Sequence, residues 1–362
     1  MLDRGHATGG EAVVVAGPHG NAALGTAHYS EASQISLRML SERVETIDRA
    51  FYLRRIAAAE AHRKRVVADS EAYRLVHGEG DQLPGLVIDR YGDYFTLQTL
   101  DQGMDRAKAE IVSCVQELFA PKGIAERNDA AVRKREALPL QSGVAAGEIP
   151  EAVAVRMNGL TLHADLLHGQ KTGIFLDQRE NYIAAARYGR GRALDCFTSA
   201  GGFALHLAAR CESVEAVDSS EASLRVAKMN CDANGIGNIE LREADVFEIL
   251  AGYASAHRRF DVVVLDPPAF AKSRQSLEAA TRGYGEINRR ALELLGAGGI
   301  LVTCSCSHHL SEAALLEIVA KAALDTGRKL RVLERRMQAQ DHPVLLTVPE
   351  TLYLKCLILE VI

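Results

Sequence analysis

The chain carries no excess of positive charge: 42 lysines and arginines against 47 acidic residues leave a formal net charge of -5. That excludes a wholly basic nucleic-acid binder, so any contact with a polyanion must come from local patches. There is no uninterrupted apolar run of about 18 residues, and the opening Met1-Leu2-Asp3-Arg4 lacks the basic-then-apolar pattern of a signal peptide. A soluble, unexported protein with no membrane partner is expected. The seven cysteines, at 114, 196, 211, 231, 304, 306 and 356, are odd in number and scattered, so they form no disulfide framework. A reducing cytoplasm suits them. Internal repeats, low-complexity segments and long polar stretches that would signal disorder are also missing.

What is present is enough for a large core. With 362 residues, 48% of them hydrophobic, the chain exceeds what one core usually organises, and two or three domains are expected. Residues 11–40 read as short strands, with Glu11 to Ala16 and Gly25 to His28 flanking the turn Gly17-Pro18-His19-Gly20. Ile47 to Val67 turns helical and basic. Residues 72–100 alternate as strands around Tyr91-Gly92-Asp93, a helix follows from about 104 to 119, and Asn158-Gly159 marks a hairpin. From Arg192 the grammar becomes strand, helix, strand, helix, which calls for a mostly parallel sheet covered on both faces. The apolar runs Leu330 to Leu333 and Leu352 to Val361 suit an antiparallel pair at one edge of that sheet.

Four stretches carry chemistry. Leu194-Asp195-Cys196-Phe197-Thr198-Ser199-Ala200-Gly201-Gly202-Phe203 is a strand, a small-residue turn and a helix start, and small residues let backbone approach a ligand. In doubly wound sheets ligands bind at the carboxyl ends of strands beside the switch in strand order, so a nucleotide-like cofactor fits here. Asp218, 17 residues after Gly201 at the end of the next strand, suits a carboxylate accepting from ribose hydroxyls. The G-x-G-x-x-G fingerprint for a pyrophosphate is missing, which favours S-adenosylmethionine over NAD; a plain packing turn is the bland alternative. Asp245 follows another strand-like run, where it could reach an adenine amino group. Leu265-Asp266-Pro267-Pro268-Ala269-Phe270 follows the buried run Val262 to Val264, and two prolines stiffen the exit behind the carboxylate.

The fourth stretch is Thr303-Cys304-Ser305-Cys306-Ser307. Carbon 5 of cytosine is a weak nucleophile; a thiolate adding at carbon 6 makes it enamine-like and able to accept a methyl group. The two cysteines share a strand face if the strand runs through both. Buried small hydrophobes, a redox pair or half a zinc site are the alternatives, and the lack of a second metal-spaced pair argues against zinc. His308 and His309 receive no role.

Together these motifs resemble the RlmI-type family of class I large-subunit ribosomal RNA cytosine-5 methyltransferases. The likeness runs through Tyr73-Arg74-Leu75, Gly78-Glu79 to Asp89-Arg90, Ala131-Val132-Arg133-Lys134, Gly169-Gln170-Lys171-Thr172-Gly173, Leu176-Asp177-Gln178-Arg179, Asp266-Pro267-Pro268, Arg282-Gly283-Tyr284, Cys306 and Asp341-His342-Pro343. It implies an α/β fold: a doubly wound Rossmann-like methyltransferase domain at 166–362, preceded by a shortened PUA-like β module at 1–46, a connecting helix at 47–68 and an α+β (EEHEE) domain at 69–165. It also implies Cys306 as nucleophile, Asp266 orienting the cytosine, and S-adenosyl-L-methionine held by Gln178, Phe197, Ser199, Gly201, Asp218 and Asp245, with no metal. The partner implied is 23S ribosomal RNA, free or in an assembly intermediate, and a homodimer is left open. Methylation of a guanine or adenine nitrogen is the rival activity, and a noncatalytic RNA-binding relative the rival class.

The chain departs from the family pattern in two places. It reads as starting inside the PUA domain, and its cofactor turn has Thr198-Ser199-Ala200 where the family has Ser-Tyr-Thr. Phosphate contacts are expected from Arg54 to Arg65 and from Arg127, Arg133, Lys134 and Arg135, with a flipped-out base reaching Cys306.

Overall fold

The computed structural model describes residues 5–17, 22–169, 172–270 and 277–362. Pro18, His19 and Gly20 of the first turn, and Gln170 and Lys171 of the Gly169 to Gly173 motif, lie outside the described residues. The chain divides into two compact units, one comprising Met1–Gly159, Ala164–Leu176 and Gln340–Thr351, the other Leu160–His163, Asp177–Ala339 and Leu352–Ile362. No helix among the described residues is long and apolar enough to cross a membrane.

The first unit opens with β1 (Ala12–Ala16), β2 (Ala23–Tyr29) and β3 (Leu37–Ser41), an antiparallel three-stranded sheet. Helix α1 (Arg49–Val66) follows, capped by Asp48 accepting from the Phe51 N–H and ending on Arg63, Lys64 and Arg65, whose charge suits the carbonyl end of the helix. A five-stranded sheet comes next: β4 (Ala72–His77), β5 (Leu86–Tyr91), β6 (Tyr94–Thr99), β7 (Gly123–Asn128) and β8 (Gln141–Gly147), in that spatial order. Only β6 and β7 run parallel, and α2 (Gln102–Arg106) and α3 (Lys108–Phe119) make the crossover they require. Phe51 and Ile56 of α1 share one core with Leu75, Ile88, Phe95 and Ile111. After β9 (Val153–Met157), Asn158 and Gly159 both take positive φ, 56° and 79°, the backbone that dipeptide tolerates best.

Several arginines expected to face RNA are instead buried in this unit. Arg63 is held by Asp81, with 2.6 Å from Nη2 to Oδ2, and by the Arg74 and Asp341 carbonyls. Arg133 donates to the Thr99 and Pro139 carbonyls and to Asp105, and Arg127 to the Leu166 and Gly169 carbonyls. A buried guanidinium must find acceptors for most of its five donors; these three stitch the fold, with Arg127 Nε and Arg133 Nη2 left without a partner among the described residues. Lys64, Arg65, Lys134 and Arg135 remain exposed.

The second unit contains the start of β10 (Leu160–Ala164), then α4 (Arg179–Ala186), β11 (Arg192–Cys196), α5 (Gly202–Ala208), β12 (Ser213–Asp218), α6 (Glu221–Ala233), β13 (Ile239–Glu243), α7 (Val246–Ser255), β14 (Phe260–Leu265), α8 (Leu277–Leu294), β15 (Leu295–Ser305), α9 (Glu312–Asp325), β16 (Leu330–Arg336) and β17 (Lys355–Val361). The seven-stranded sheet runs β13-β12-β11-β14-β15-β17-β16. It is parallel from β13 to β15, and β17 is antiparallel to both its neighbours. The expected pair is thus present, with β16 at the edge. Strands flanked by helices on both faces need continuous apolar runs, and β14, Phe-Asp-Val-Val-Val-Leu, is buried at every position but Asp261. Strand order reverses between β11 and β14, so the ligand crevice of such a sheet opens at their carboxyl ends.

Candidate active site

The loop after β11 is shaped by backbone. Phe197, Ser199 and Gly201 take φ of 63°, 50° and 87°, and for the first two a left-handed backbone costs about 1 kcal/mol or more each. The surroundings hold it: the Ser199 N–H donates to Asp218 Oδ2 at 2.9 Å, the Thr198 N–H to the Val217 carbonyl at 3.0 Å, and Asn230 Nδ2 of α6 to the Ala200 carbonyl at 2.9 Å. A Cβ at Gly202 would lie 2.4 Å from Cζ of Tyr182, which explains a glycine there. Beneath the loop, Asp195 Oδ2 accepts from Thr198 Oγ1 at 2.6 Å and the Ala204 N–H at 2.9 Å, whereas its Oδ1 is buried without a hydrogen-bond partner among the described residues. Burial, tempered by those two donors, pushes the Asp195 carboxyl up to about 7.

Asp218 ends β12, half-buried, its other oxygen taking the Ser220 N–H at 2.9 Å. Asp245 is exposed and caps α7, accepting from Phe247 and Glu248 N–H at 2.8 and 3.1 Å. Both hydrogen bonds use Oδ1. The half-buried Phe197 ring lies 6.4 Å from Phe270, which in turn neighbours Phe247 at 6.0 Å and Tyr284 at 4.8 Å.

Asp266 leaves β14 on the other side of the switch, its N–H 3.4 Å from the Cys196 carbonyl. Gln178 Nε2 donates to Asp266 Oδ1 at 2.9 Å, Asn181 Nδ2 donates to Gln178 Oε1 at 2.7 Å, and Arg336 Nε donates to Asn181 Oδ1 at 2.9 Å. Gln178 is buried with both ends of its amide engaged by protein. The chain of bonds ends on a guanidinium and aims the Asp266 carboxylate.

The two cysteines separate sharply. β15 stops at Ser305, so the strand does not run through Cys306 and the expected shared face is absent. Cys304 is fully buried opposite Cys356 of β17, and burial with that neighbour pushes its thiol well above the ordinary range. It is an inert core thiol. Cys306 is half-buried while the other six cysteines are buried. Its flanks are pinned: Ser305 Oγ donates to Tyr284 Oη at 2.9 Å, and Tyr284 Oη lies 3.2 Å from Ser307 Oγ.

Of the residues singled out in the sequence, Ser199 meets Asp218, Gln178 meets Asp266, and Phe197 faces Phe270, which follows the neighbouring strand β14. Asp245 hydrogen-bonds none of the others; its bonds stay in its own helix. Sequence reasoning missed Asn181, Tyr182, Asn230, the Tyr284 hydroxyl that accepts from Ser305, and Lys355. Apart from Tyr284, which lies in Arg282-Gly283-Tyr284, none sits in a motif.

A sheet with this reversal, a left-handed glycine loop after the first strand and an acidic residue closing the second defines a Rossmann-like nucleotide-cofactor enzyme. A family model described as S-adenosylmethionine-dependent methyltransferase matches residues 116–358. The chain is 41% identical over 359 residues, 97% of its length and 90% of the relative's, to ribosomal RNA large subunit methyltransferase I of Klebsiella pneumoniae. A methyltransferase structure from Streptococcus mutans superposes with a TM-score of 0.84 at 22% identity over 98% of this chain and 92% of that one; SMU.776, a methyltransferase complexed with SAH, gives 0.85 at 22% over the same shares. Those likenesses are of fold. The chain belongs to the S-adenosylmethionine-dependent methyltransferase family, in the group of the ribosomal RNA large subunit methyltransferases I.

The residues present fit that cofactor. A buried carboxylate with an unpartnered oxygen at the head of the loop suits a ligand bearing a sulfonium and an ammonium, and the lone pairs of Asp218 suit ribose hydroxyls.

Proposed function

We propose that this enzyme methylates carbon 5 of a cytosine in 23S ribosomal RNA, free or in an assembly intermediate in the cytoplasm, through a covalent adduct with Cys306. The observation that carries this reading is the contrast among the thiols: Cys306 is the one that is not buried, and it stands just past the carboxyl end of β15, next in the sheet to the strand that delivers Asp266. The substrate class follows the names of the relatives.

When bound, S-adenosylmethionine supplies an electrophilic methyl group. Phe197, Ser199, Gly201, Asp218 and Asp245 hold it, as the resemblance implies, and Gln178 adds to that contact the orientation of Asp266. Asp266 accepts from the polar edge of the cytosine and fixes the ring. Cys306 Sγ adds to carbon 6, which makes carbon 5 nucleophilic; after methyl transfer the carbon-5 proton leaves and Sγ is expelled, restoring the ring and the thiolate. The PUA-like, EEHEE and methyltransferase division of the chain belongs to the same proposal, with Lys64, Arg65, Lys134 and Arg135 as the exposed charges for phosphate.

The test is transfer of labelled methyl to ribosomal RNA by the wild type and Cys306→Ala, with the product nucleoside mapped. Label in 5-methylcytosine from the wild type alone is the expected result. Label in another base, or equal transfer by Cys306→Ala, overturns the covalent cytosine chemistry and returns the choice to a ring or exocyclic nitrogen.

A further inference from the structure

Lys355, the first residue of β17, is 6% exposed, and its backbone pairs with Ser305 in the β15–β17 ladder. Its Nζ donates to the Ser307 carbonyl at 2.7 Å and the Tyr353 carbonyl at 2.8 Å. An ammonium has three donors, and neutral carbonyls leave its charge uncompensated. No carboxylate among the described residues lies within ion-pair distance of it. A buried cation without a counter-ion is strongly disfavoured. Burial pushes its pKa down to about 8, and the group whose field opposes that shift is Cys306.

We propose that Lys355 is the positioning residue of Cys306: its ammonium is the counter-ion of the Cys306 thiolate, and its bond to the Ser307 carbonyl holds the thiol-bearing segment toward the crevice. The proposal rests on the reading of Cys306 as the nucleophile. In this arrangement the charge of the lysine and that of the thiolate each stabilise the other, so the nucleophile is ionised near neutral pH before any RNA arrives. The clamp by Tyr284 fixes where the sulfur sits, and Lys355 sets its protonation. Other titratable groups face the pair: Tyr284 from α8, His308 with His309 beyond it, and Tyr353, whose ring lies 5.5 Å from that of His308. Asp266 faces Cys304. Burial keeps His308 below its ordinary value, so it stays neutral where the thiolate forms.

The experiment is the rate of Cys306 alkylation by iodoacetamide from pH 5 to 10, on the full chain without cofactor or RNA, read by mass spectrometry of the Cys306 peptide. Burial of the other six cysteines keeps the reading clean. In the wild type the midpoint is expected below the ordinary thiol value of about 8.5. Lys355→Met raises it by about one unit, so the rate at pH 7 falls about tenfold, and Lys355→Arg keeps most of the wild-type rate. A wild-type midpoint at or above the ordinary value overturns the proposal whether or not Lys355→Met folds. So does a midpoint unchanged in folded Lys355→Met, or one that moves in His308→Ala instead. Methyl transfer measured in parallel separates the two readings: if Cys306→Ala still transfers methyl while Lys355→Met still loses alkylation, the nucleophile assignment fails and the ion pair stands.

Discussion

The loops that leave β11 and β15 stand at the same end of one sheet and are built by opposite means. Phe197 to Gly202 is a backbone device: three left-handed residues, a glycine at 202 pressed on Tyr182, and hydrogen bonds from N–H and to C=O groups. Ser305 to Ser307 has an ordinary exit and is held by side chains, the Tyr284 hydroxyl on one side and the Lys355 ammonium on the other. A loop that receives a large cofactor gains from a shape set by its backbone. A loop that carries a nucleophile needs its charge tuned, and only side chains from other elements do that.

The comparison predicts that the two loops fail differently. Cys306→Ala should lower methyl transfer by on the order of 10⁴-fold while calorimetric affinity for S-adenosylmethionine stays at the wild-type value; a parallel loss of affinity would mean that the loops are not separable. Asp195→Asn tests the backbone device through pH. Its carboxyl titrates at about 7 in the fold against an ordinary 3.8, so the stability tied to the protonated form is complete below about pH 4 and is lost as pH rises to about 7. Thermal melts of the ligand-free wild type should fall across that window by more than those of Asp195→Asn, by a few kcal/mol, and added S-adenosylmethionine should narrow the gap. Equal slopes would place the carboxyl at its ordinary value. Gly202→Ala forces its Cβ onto the Tyr182 ring and should cost about 1–3 kcal/mol by denaturant unfolding, with weaker cofactor binding. The smallest effect belongs to Cys304→Ala, about 1 kcal/mol of stability and no change in turnover; a large loss of turnover would reassign the nucleophile.

Much of the second unit was legible because parallel strands buried on both faces leave near-continuous apolar runs, as Val262 to Leu265 and Ile300 to Cys304 do. The Asp-Pro-Pro exit and the small-residue loop were legible because proline and glycine restrict or free the backbone locally. Side-chain partnerships across the fold were not. Gln178 meets Asp266 after 88 residues and Lys355 meets Ser307 after 48, distances over which periodicity carries no information. The basic run Arg54 to Arg65 reads as one charged face, yet Arg63 turns inward because Asp81 and two carbonyls complete its donors. The identity of a residue did not say which way it points.

β17 comes after every other strand of its sheet in chain order yet lies inside it, between β15 and β16. Lys355 therefore reaches the Ser307 carbonyl only when that strand is in place, and under the proposed pairing an unfolded chain presents Cys306 as an ordinary thiol. Under that proposal, the ionisation of Cys306 belongs to the assembled sheet rather than to the segment that carries the thiol.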